Sequence, residues 1–292
     1  MKPPLFRYEA PRTLRDAIAI LASDVDATVL AGGQSLLPAM NFRVAAPSLL
    51  VDIQHVEGLK GIEIKGDTIV IKAMTRHREL ELHPEVQRLN PLIAETMQHV
   101  AHVPIRNRGT VVGSLCHADP SAEMPLLFVL LDGTMIATGP SGTRRIAAAD
   151  FFQSFLTTSR RQDEIVVEAW LPVLPIGTGF AFNEVTRRHG DYALVGVGCT
   201  LSLDGNSRAQ NVRLAACGIS DRPVRLKAAE TALDGGFLAE ADLAAAARAS
   251  ANAVTQMDDV NTSMSYRRRV LSGLIQRLVP IAASRARGGT RQ

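Results

Sequence analysis

The stretch Ala31-Gly32-Gly33-Gln34-Ser35-Leu36 has one evident chemical use. It follows the apolar run Ala27–Leu30 and precedes another, Leu36–Met40. A strand that ends in two glycines and a serine leaves backbone N–H groups bare, and bare N–H groups are what a phosphate binds. Gly-Gly-X-Ser by itself more often makes a plain turn. A second stretch of the same character is Arg106-Asn107-Arg108-Gly109-Thr110-Val111-Val112-Gly113-Ser114. Two such loops can hold one pyrophosphate between them. Asp119 and Glu123 are carboxylates four apart; an acid/base pair of that kind needs a substrate pocket, and no other catalytic group stands near them in sequence. His99-x-x-His102 sets two imidazoles one helical turn apart, without a carboxylate or cysteine at ligand spacing. They read as structural histidines and not as a metal site.

Elements must carry these residues. Thr13 is a good N-cap for a helix over Leu14–Leu21, whose apolar residues recur at helical spacing. Strands are expected at 5–8, 28–30 and 49–53, and a hairpin over Gly61–Ile71 turning at Gly66-Asp67. Thr75 is placed to cap a short helix through Leu82, Pro91–Val103 fits a helix, and Glu123–Leu131 reads as a buried one. Strands follow at 134–138 and 164–171. After Pro172–Thr178 the pattern becomes an antiparallel set, 179–186, 193–204 and 209–217, and then helices at 224–233, 240–254 and 265–283. The expected fold class is α+β: a module over residues 1–176, with subdomains 1–57 and 58–176, a second domain over 177–285, and a fraying tail at 286–292. The module is not a Rossmann domain, because no G-x-G-x-x-G occurs and the two glycine stretches lie roughly eighty residues apart instead of in one βα turn.

Composition narrows the function classes. The 292 residues carry a net charge of only +3, and the arginine pairs are scattered, so nucleic acid is not the expected partner. Aromatics at 4% are too few for a base-stacking platform. No apolar run reaches the length of a membrane span, and the N-terminal residues lack the apolar core of a signal peptide, so a cytoplasmic location is expected. The three cysteines, Cys116, Cys199 and Cys217, cannot supply the four ligands of an iron–sulfur cluster.

Taken together, the motifs resemble a known family. Ala31–Pro38, Arg106–Leu115 and His117-Ala118-Asp119-Pro120-Ser121-Ala122-Glu123-Met124-Pro125 are similar to the FAD-binding medium subunit of bacterial molybdenum hydroxylases, the xanthine dehydrogenase, aerobic carbon monoxide dehydrogenase and quinoline oxidoreductase group. The likeness continues in Arg187–Val195, Asp221–Arg225 and Tyr266-Arg267-Arg268, and so spans nearly the whole chain in order. It implies a two-subdomain FAD-binding module of the molybdopterin dehydrogenase (PCMH) type, followed by a small antiparallel sheet with helices. It also implies FAD on this chain, molybdopterin-molybdenum on a large partner subunit, 2Fe–2S clusters on a small one, and a dimer of heterotrimers. The chain would take electrons from the clusters and pass them to an external acceptor.

The resemblance assigns roles residue by residue. Ala31, Gly32, Gly33, Gln34, Ser35 and Leu36 match the first pyrophosphate loop, and Thr110, Gly113 and Ser114 the second. Val112 stands where the family usually has a glycine; a β-branched residue resists positive φ there and fills space next to the pyrophosphate, unless the loop uses φ values that valine accepts. Glu123 matches an acid that contacts an FAD hydroxyl, with Asp119 close by; a helix N-cap is the alternative for Asp119. Tyr192 matches an aromatic beside the flavin ring, and Ile165 and Val166 match apolar residues near the adenine. The family often has a lysine near the flavin just upstream, but Phe182-Asn183-Glu184-Val185 has none, which leaves Arg187 or Arg188 as the available cations. Val112 and the missing lysine keep a second function open, a scaffold subunit with weakened or lost FAD binding. A self-sufficient flavin oxidase would need a base and pocket of its own. The Gly-Gly-Gln-Ser and Ser-Leu-Cys-His-Ala-Asp-Pro runs are more similar to the heterocycle-oxidising members.

Overall fold

The computed structural model describes residues 2–260 and 262–288. The first unit runs β1 (Arg7–Glu9), α1 (Leu14–Ala22), β2 (Ala27–Leu30), α2 (Leu36–Asn41) and β3 (Leu49–Asp52). The Thr13 hydroxyl accepts the Asp16 N–H at the start of α1, whose Ala17, Ile18 and Leu21 are buried. Strand β3 lies between β1 and β2 and pairs parallel with both. Parallel strands need crossovers, and the chain between β2 and β3, which contains the first glycine stretch, is one of them.

The second unit is built on a five-stranded sheet. Its hairpin, β4 (Ile62–Lys65) and β5 (Thr68–Lys72), turns at Gly66, whose φ is +58°. Six helices follow: α3 (His77–Leu82), α4 (Pro84–Leu89), α5 (Pro91–Met97), α6 (Val103–Arg106), α7 (Val111–His117) and α8 (Glu123–Leu130). Then come β6 (Thr134–Gly139), β7 (Gly142–Ala147), α9 (Ala148–Phe151), the short pair β8 (Phe152–Ser154) and β9 (Thr157–Thr158), and β10 (Ile165–Pro172). Strand β10 enters the middle of the sheet, in the order β4-β5-β10-β6-β7, all antiparallel.

The third unit is a four-stranded antiparallel sheet, β11 (Gly179–Val185), β12 (Val195–Leu203), β13 (Ala209–Cys217) and β14 (Val224–Arg225), with α10 (Lys227–Leu233), α11 (Glu240–Ser250) and α12 (Met264–Arg287). Buried residues of α12 (Leu271, Ile275, Val279, Ala282) pack with Val195, Val197 and Leu201 of β12 in one apolar core. Helix α8 belongs to the other core, which also takes in Phe182, Ala193, Ala215 and Cys217 of the third unit. A Cβ on Gly198 would stand 2.8 Å from a Leu130 methyl and 3.0 Å from a Leu126 methyl, so the bare backbone of β12 is what admits α8. All eight residues of α8 are buried. A helix covered on all sides shows no amphipathic stripe, which is why Glu123–Leu130 reads as a continuous apolar run after its first residue.

Several boundaries differ from the sequence expectation. The helix beginning at Pro91 ends at Met97 and not at Val103, because Ala101 adopts a left-handed φ of +45° and redirects the chain. Thr75 does not cap α3; its hydroxyl donates to the Gly61 carbonyl, and Arg76 is the N-cap. Val224–Arg225 pairs with β13, so the helix there starts at Lys227. The helix at Glu240 ends at Ser250, followed by a 3₁₀ turn over Ala251–Ala253. The tail expected to fray at 286–292 is still helical through Arg287, and 289–292 lie outside the described residues. Strands β7, β8, β9 and β14 and helices α4, α6, α7 and α9 had no sequence counterpart. Among the described residues, no helix is long and apolar enough to cross a membrane.

Candidate functional site

Strand β2 delivers the chain to Ala31, and Gly33 turns it with φ +73° into α2. The Leu37 N–H closes back on the Gly33 carbonyl at 3.2 Å. Among the described residues, the N–H groups of Gly33, Gln34 and Ser35 meet no acceptor within the protein. Bare donors in a row at a helix start are a ready anion cradle.

The second glycine stretch is held by α3. The His77 N–H donates to the Gly109 carbonyl at 3.0 Å, and the Val111 N–H to the Thr75 carbonyl at 3.1 Å. Thr110 then N-caps α7, its hydroxyl accepting the Gly113 N–H at 3.1 Å. From Val111 onward this stretch is therefore helix and not loop. That answers the backbone part of the expected difficulty at Val112, which sits inside α7 and needs no positive φ; its buried side chain still faces the cleft between the two stretches. Gly113 is required for a different reason: a Cβ there would stand 2.5 Å from the capping Thr110 hydroxyl.

The two stretches meet backbone to backbone. A Cβ on Gly32 would lie 2.5 Å from the Arg108 carbonyl oxygen and 2.9 Å from the Thr110 nitrogen. Gly32 thus lets the loops touch each other, a role that sequence reasoning had given to contact with phosphate. Along this seam runs a cleft of about 570 Å³, of the size that holds a cofactor. Ala31, Gly32, Gly33, Gln34, Ser35, Leu36, Thr110, Gly113, Ser114, Glu123, Val166 and Tyr192 all line it, as does Ile165. Residues from all three units therefore converge.

Asp119 departs from the expectation. It is not among the lining residues, and its carboxylate accepts the Ser121 N–H at 2.8 Å. Nor does it cap α8, whose N-cap is Ala122. It acts on the site through its field, raising the pKa values of both Glu123 and Tyr192.

Glu123, at the start of α8, is 4% exposed. Desolvation first, and then the neighbouring Glu184 and Asp119, push its carboxyl up to about 8, so it keeps its proton at neutral pH. Tyr192 lies in the loop between β11 and β12. Half of the residue is exposed, yet its phenol end is crowded by protein; desolvation, then Asp119 and Glu123, push it up to about 12, while a hydrogen bond with Ser35 acts against them. Gly190 in the same loop lies on the His102 imidazole, where a Cβ would be 2.7 Å from the ring. His99, in contrast, faces Glu184, with Nδ1 3.5 Å from Oε1. The two histidines serve different contacts. Arg187 and Arg188 are exposed, Arg187 alongside Tyr192.

His77 had no sequence signal. It is buried, lines the cleft, and its Nδ1 has no hydrogen-bond partner. Burial, reinforced by Arg106, pushes it down to about 4 and keeps it neutral. Only the fold, which lays α3 against Gly109, reveals it.

The cleft fits an extended dinucleotide. Its wall carries one row of free backbone donors for a pyrophosphate at Gly33, Gln34 and Ser35, a protonated carboxyl at Glu123 and a half-exposed aromatic ring at Tyr192.

Comparison with known proteins agrees with this geometry. Residues 4–174 match the FAD binding domain in molybdopterin dehydrogenase, and residues 180–281 match the CO dehydrogenase flavoprotein C-terminal domain. The chain is 38% identical to the 6-hydroxypseudooxynicotine dehydrogenase complex subunit alpha of Paenarthrobacter nicotinovorans, over 98% of this chain and 97% of the relative. It is also 38% identical to the nicotine 6-hydroxylase medium subunit of the same organism, over 98% of this chain and all of the relative (100%). The structure of quinoline 2-oxidoreductase from Pseudomonas putida 86 superposes with a TM-score of 0.93 at 36% identity, covering 98% of this chain and 99% of that one. The chain belongs to the FAD-binding medium subunits of the molybdenum hydroxylases.

Proposed function

We propose that this chain is the electron-transfer subunit of a heteromeric molybdenum hydroxylase, carrying FAD between the 2Fe–2S clusters of a small partner subunit and an external acceptor. A large subunit would hold molybdopterin-molybdenum and the substrate, and the assembly would be a cytoplasmic dimer of heterotrimers. The domain division at about residue 176 follows the same reading. The names of the relatives, which act on nicotine and 6-hydroxypseudooxynicotine, support an N-heterocyclic or related substrate for the complex.

The observation that carries the reading is the seam: two remote backbone stretches, fused at Gly32 and Arg108, with the unpartnered N–H groups of Gly33, Gln34 and Ser35 lining the cleft beside the second stretch. Bound FAD supplies the chemistry, accepting electrons and releasing them. The protein holds it. Gly33, Gln34 and Ser35, with Ala31, Gly32 and Leu36 shaping the turn, would donate to the pyrophosphate from one side. Thr110, Gly113 and Ser114 would face it from the other. Glu123, kept protonated by its burial and then by Glu184 and Asp119, can donate its hydroxyl to a cofactor oxygen. Val166 would pack at the adenine end, and Tyr192 would cover part of the ring system and limit its access to water. The helical conformation of Val112 removes one reason for reading the chain as a cofactor-free scaffold.

Purification of the chain with its partners tests this. The complex should show a flavin absorption band, release FAD on denaturation, and have that band bleached by electrons entering through the clusters. A colourless complex that takes up no FAD would sink it.

A further inference from the structure

Gln34, His77 and Gly109 meet at one corner of the cleft, where the two glycine stretches come together. A Cβ on Gly109 would stand 3.1 Å from His77 Cδ2 and 3.6 Å from Gln34 Cγ, so the bare backbone of Gly109 admits both side chains. The His77 backbone is tied to the same residue, its N–H donating to the Gly109 carbonyl at 3.0 Å. The imidazole is therefore held in place, and it is only 5% exposed. Among the described residues, imidazole nitrogens take part in hydrogen bonds at His55 and His83, and neither nitrogen of His77 does.

A buried polar ring without a protein partner carries a cost that a ligand can remove. The two nitrogens differ. Nδ1 is sealed inside the protein, so Nε2 is the nitrogen that can reach a group in the cleft. A proton on Nδ1 would bury an N–H donor with nothing to accept it; a bare Nδ1 leaves only an acceptor unmet, which is the cheaper state. The proton therefore belongs on Nε2, where it makes a donor. The neighbouring cation cannot fill that place. Arg106 donates to Glu81 from Nε at 3.0 Å, and to the Val100 and Ala101 carbonyls at 2.8 Å each. Gln34, beside the ring, belongs to the row of bare backbone donors, so the group that this row binds also lies beside His77.

We propose that His77 is a cofactor-binding residue whose Nε2–H donates a hydrogen bond to a phosphate oxygen of the bound dinucleotide, the side-chain member of a cradle otherwise made of backbone. This rests on the reading that FAD occupies the cleft. His77 does so as a neutral group, since burial and Arg106 keep a second proton off the ring. It positions the pyrophosphate by direction, not by charge.

Two measurements test it. The first is titration of the deflavinated complex with FAD and with ADP, which carries two phosphates and no flavin. His77→Asn puts its amide nitrogen near the place of Nδ1, and His77→Gln puts it near the place of Nε2. His77→Asn should weaken FAD and ADP alike by roughly 10- to 100-fold, the effect of losing a hydrogen bond to a charged group. His77→Gln should recover most of that loss for both ligands. Equal losses in the two variants, or a loss for FAD with none for ADP, overturn the assignment. The second measurement needs no substitution and decides the matter if the variants fail to assemble. Solid-state ¹⁵N spectra of the wild-type complex, with histidine labelled in this chain alone, should show His77 protonated at Nε2 and bare at Nδ1, with the Nε2 signal displaced when FAD is added. A proton on Nδ1, or an Nε2 signal that ignores FAD, overturns it. A folded His77→Asn complex with wild-type affinity for FAD overturns the assignment and leaves the cofactor reading intact. A wild-type complex that takes up no FAD overturns both.

Discussion

Gly32 and Arg108 are joined by a contact that only glycine permits: a Cβ at position 32 would lie 2.5 Å from the Arg108 carbonyl oxygen. The obstacle is backbone, which cannot swing away as a side chain can. The parallel sheet of the first unit and the helices of the second are therefore registered to each other at the cofactor seam.

Gly32→Ala should force the two stretches apart and displace the donors of Gly33, Gln34 and Ser35. Losing about 3 kcal/mol of phosphate binding corresponds to roughly 10²-fold weaker FAD binding. The check is FAD titration of the deflavinated chain, with circular dichroism to show that the fold survives. Wild-type affinity in a folded Gly32→Ala chain would mean that the seam does not set the cradle.

Thr110 works at the same seam through its hydroxyl, which accepts the Gly113 N–H. Thr110→Ala should destabilise the chain by about 1 kcal/mol, the usual loss of an N-cap. Thr110→Ser should restore most of it. Denaturant unfolding of the three proteins gives the comparison, and an equal loss in the serine variant would point to the methyl group instead.

Much of this was legible in the sequence, for physical reasons. The hairpin turning at Gly66 and the buried helix at Glu123 are local signals, carried by alternation, turn residues and unbroken apolarity. The glycine stretches were visible as bare backbone. Their contact was not, because Gly32 and Arg108 are brought together by tertiary packing that no local pattern encodes. The early end of the helix at Met97 was hidden for a related reason: Ala101 takes a left-handed φ without being glycine, so no residue type marks the turn. His77 and Glu184 were equally invisible as site residues, since their roles come from α3 lying against Gly109 and β11 lying under α8. Asp119 shows the converse, a residue matched by motif whose side chain is turned to the Ser121 N–H.

Stability should respond to pH from two opposite directions. Glu123 has a folded pKa of about 8 against 4.5 ordinarily, so between those values the unfolded chain releases a proton that the folded chain keeps. Stability contributed by this group is full below pH 4.5 and is lost as pH rises to about 8. His77 has a folded pKa of about 4 against 6.5, so its contribution is full above 6.5 and is lost as pH falls towards 4. Each effect is on the order of a few kcal/mol. Unfolding of the FAD-free chain across this range should show that Glu123→Gln flattens the alkaline limb and leaves the acid limb unchanged. A parallel loss on both limbs would mean that another group controls the alkaline side.

Arg267 should position Tyr192 without touching it. This buried guanidinium of α12 donates to the Leu194 carbonyl at 2.8 Å and to the Gly218 carbonyl, which pins the end of the loop that carries Tyr192. Arg267→Met removes both bonds and leaves two carbonyls and Asp259 short of a donor. The expected loss is about 3–5 kcal/mol, typical of breaking a buried charged network. At temperatures where the variant remains folded, the flavin of the complex should become more accessible to iodide quenching. Unchanged quenching would show that the loop is held by Gly190 on His102 alone.

Val112 gives the sharpest contrast between motif and structure. Family resemblance places a glycine at this position, and restoring it by Val112→Gly would be expected to tighten FAD if valine obstructed the loop. The residue is helical and its side chain is buried in the core shared by α7 and α8. Glycine inside a helix costs about 1 kcal/mol relative to alanine, and the vacated space adds a further 1–3 kcal/mol. Val112→Gly should therefore lower the unfolding free energy by about 2–4 kcal/mol and leave FAD affinity the same or weaker. Chemical unfolding and FAD titration on one preparation decide the matter. A variant that binds FAD more tightly at undiminished stability would show that the valine side chain does obstruct the cofactor.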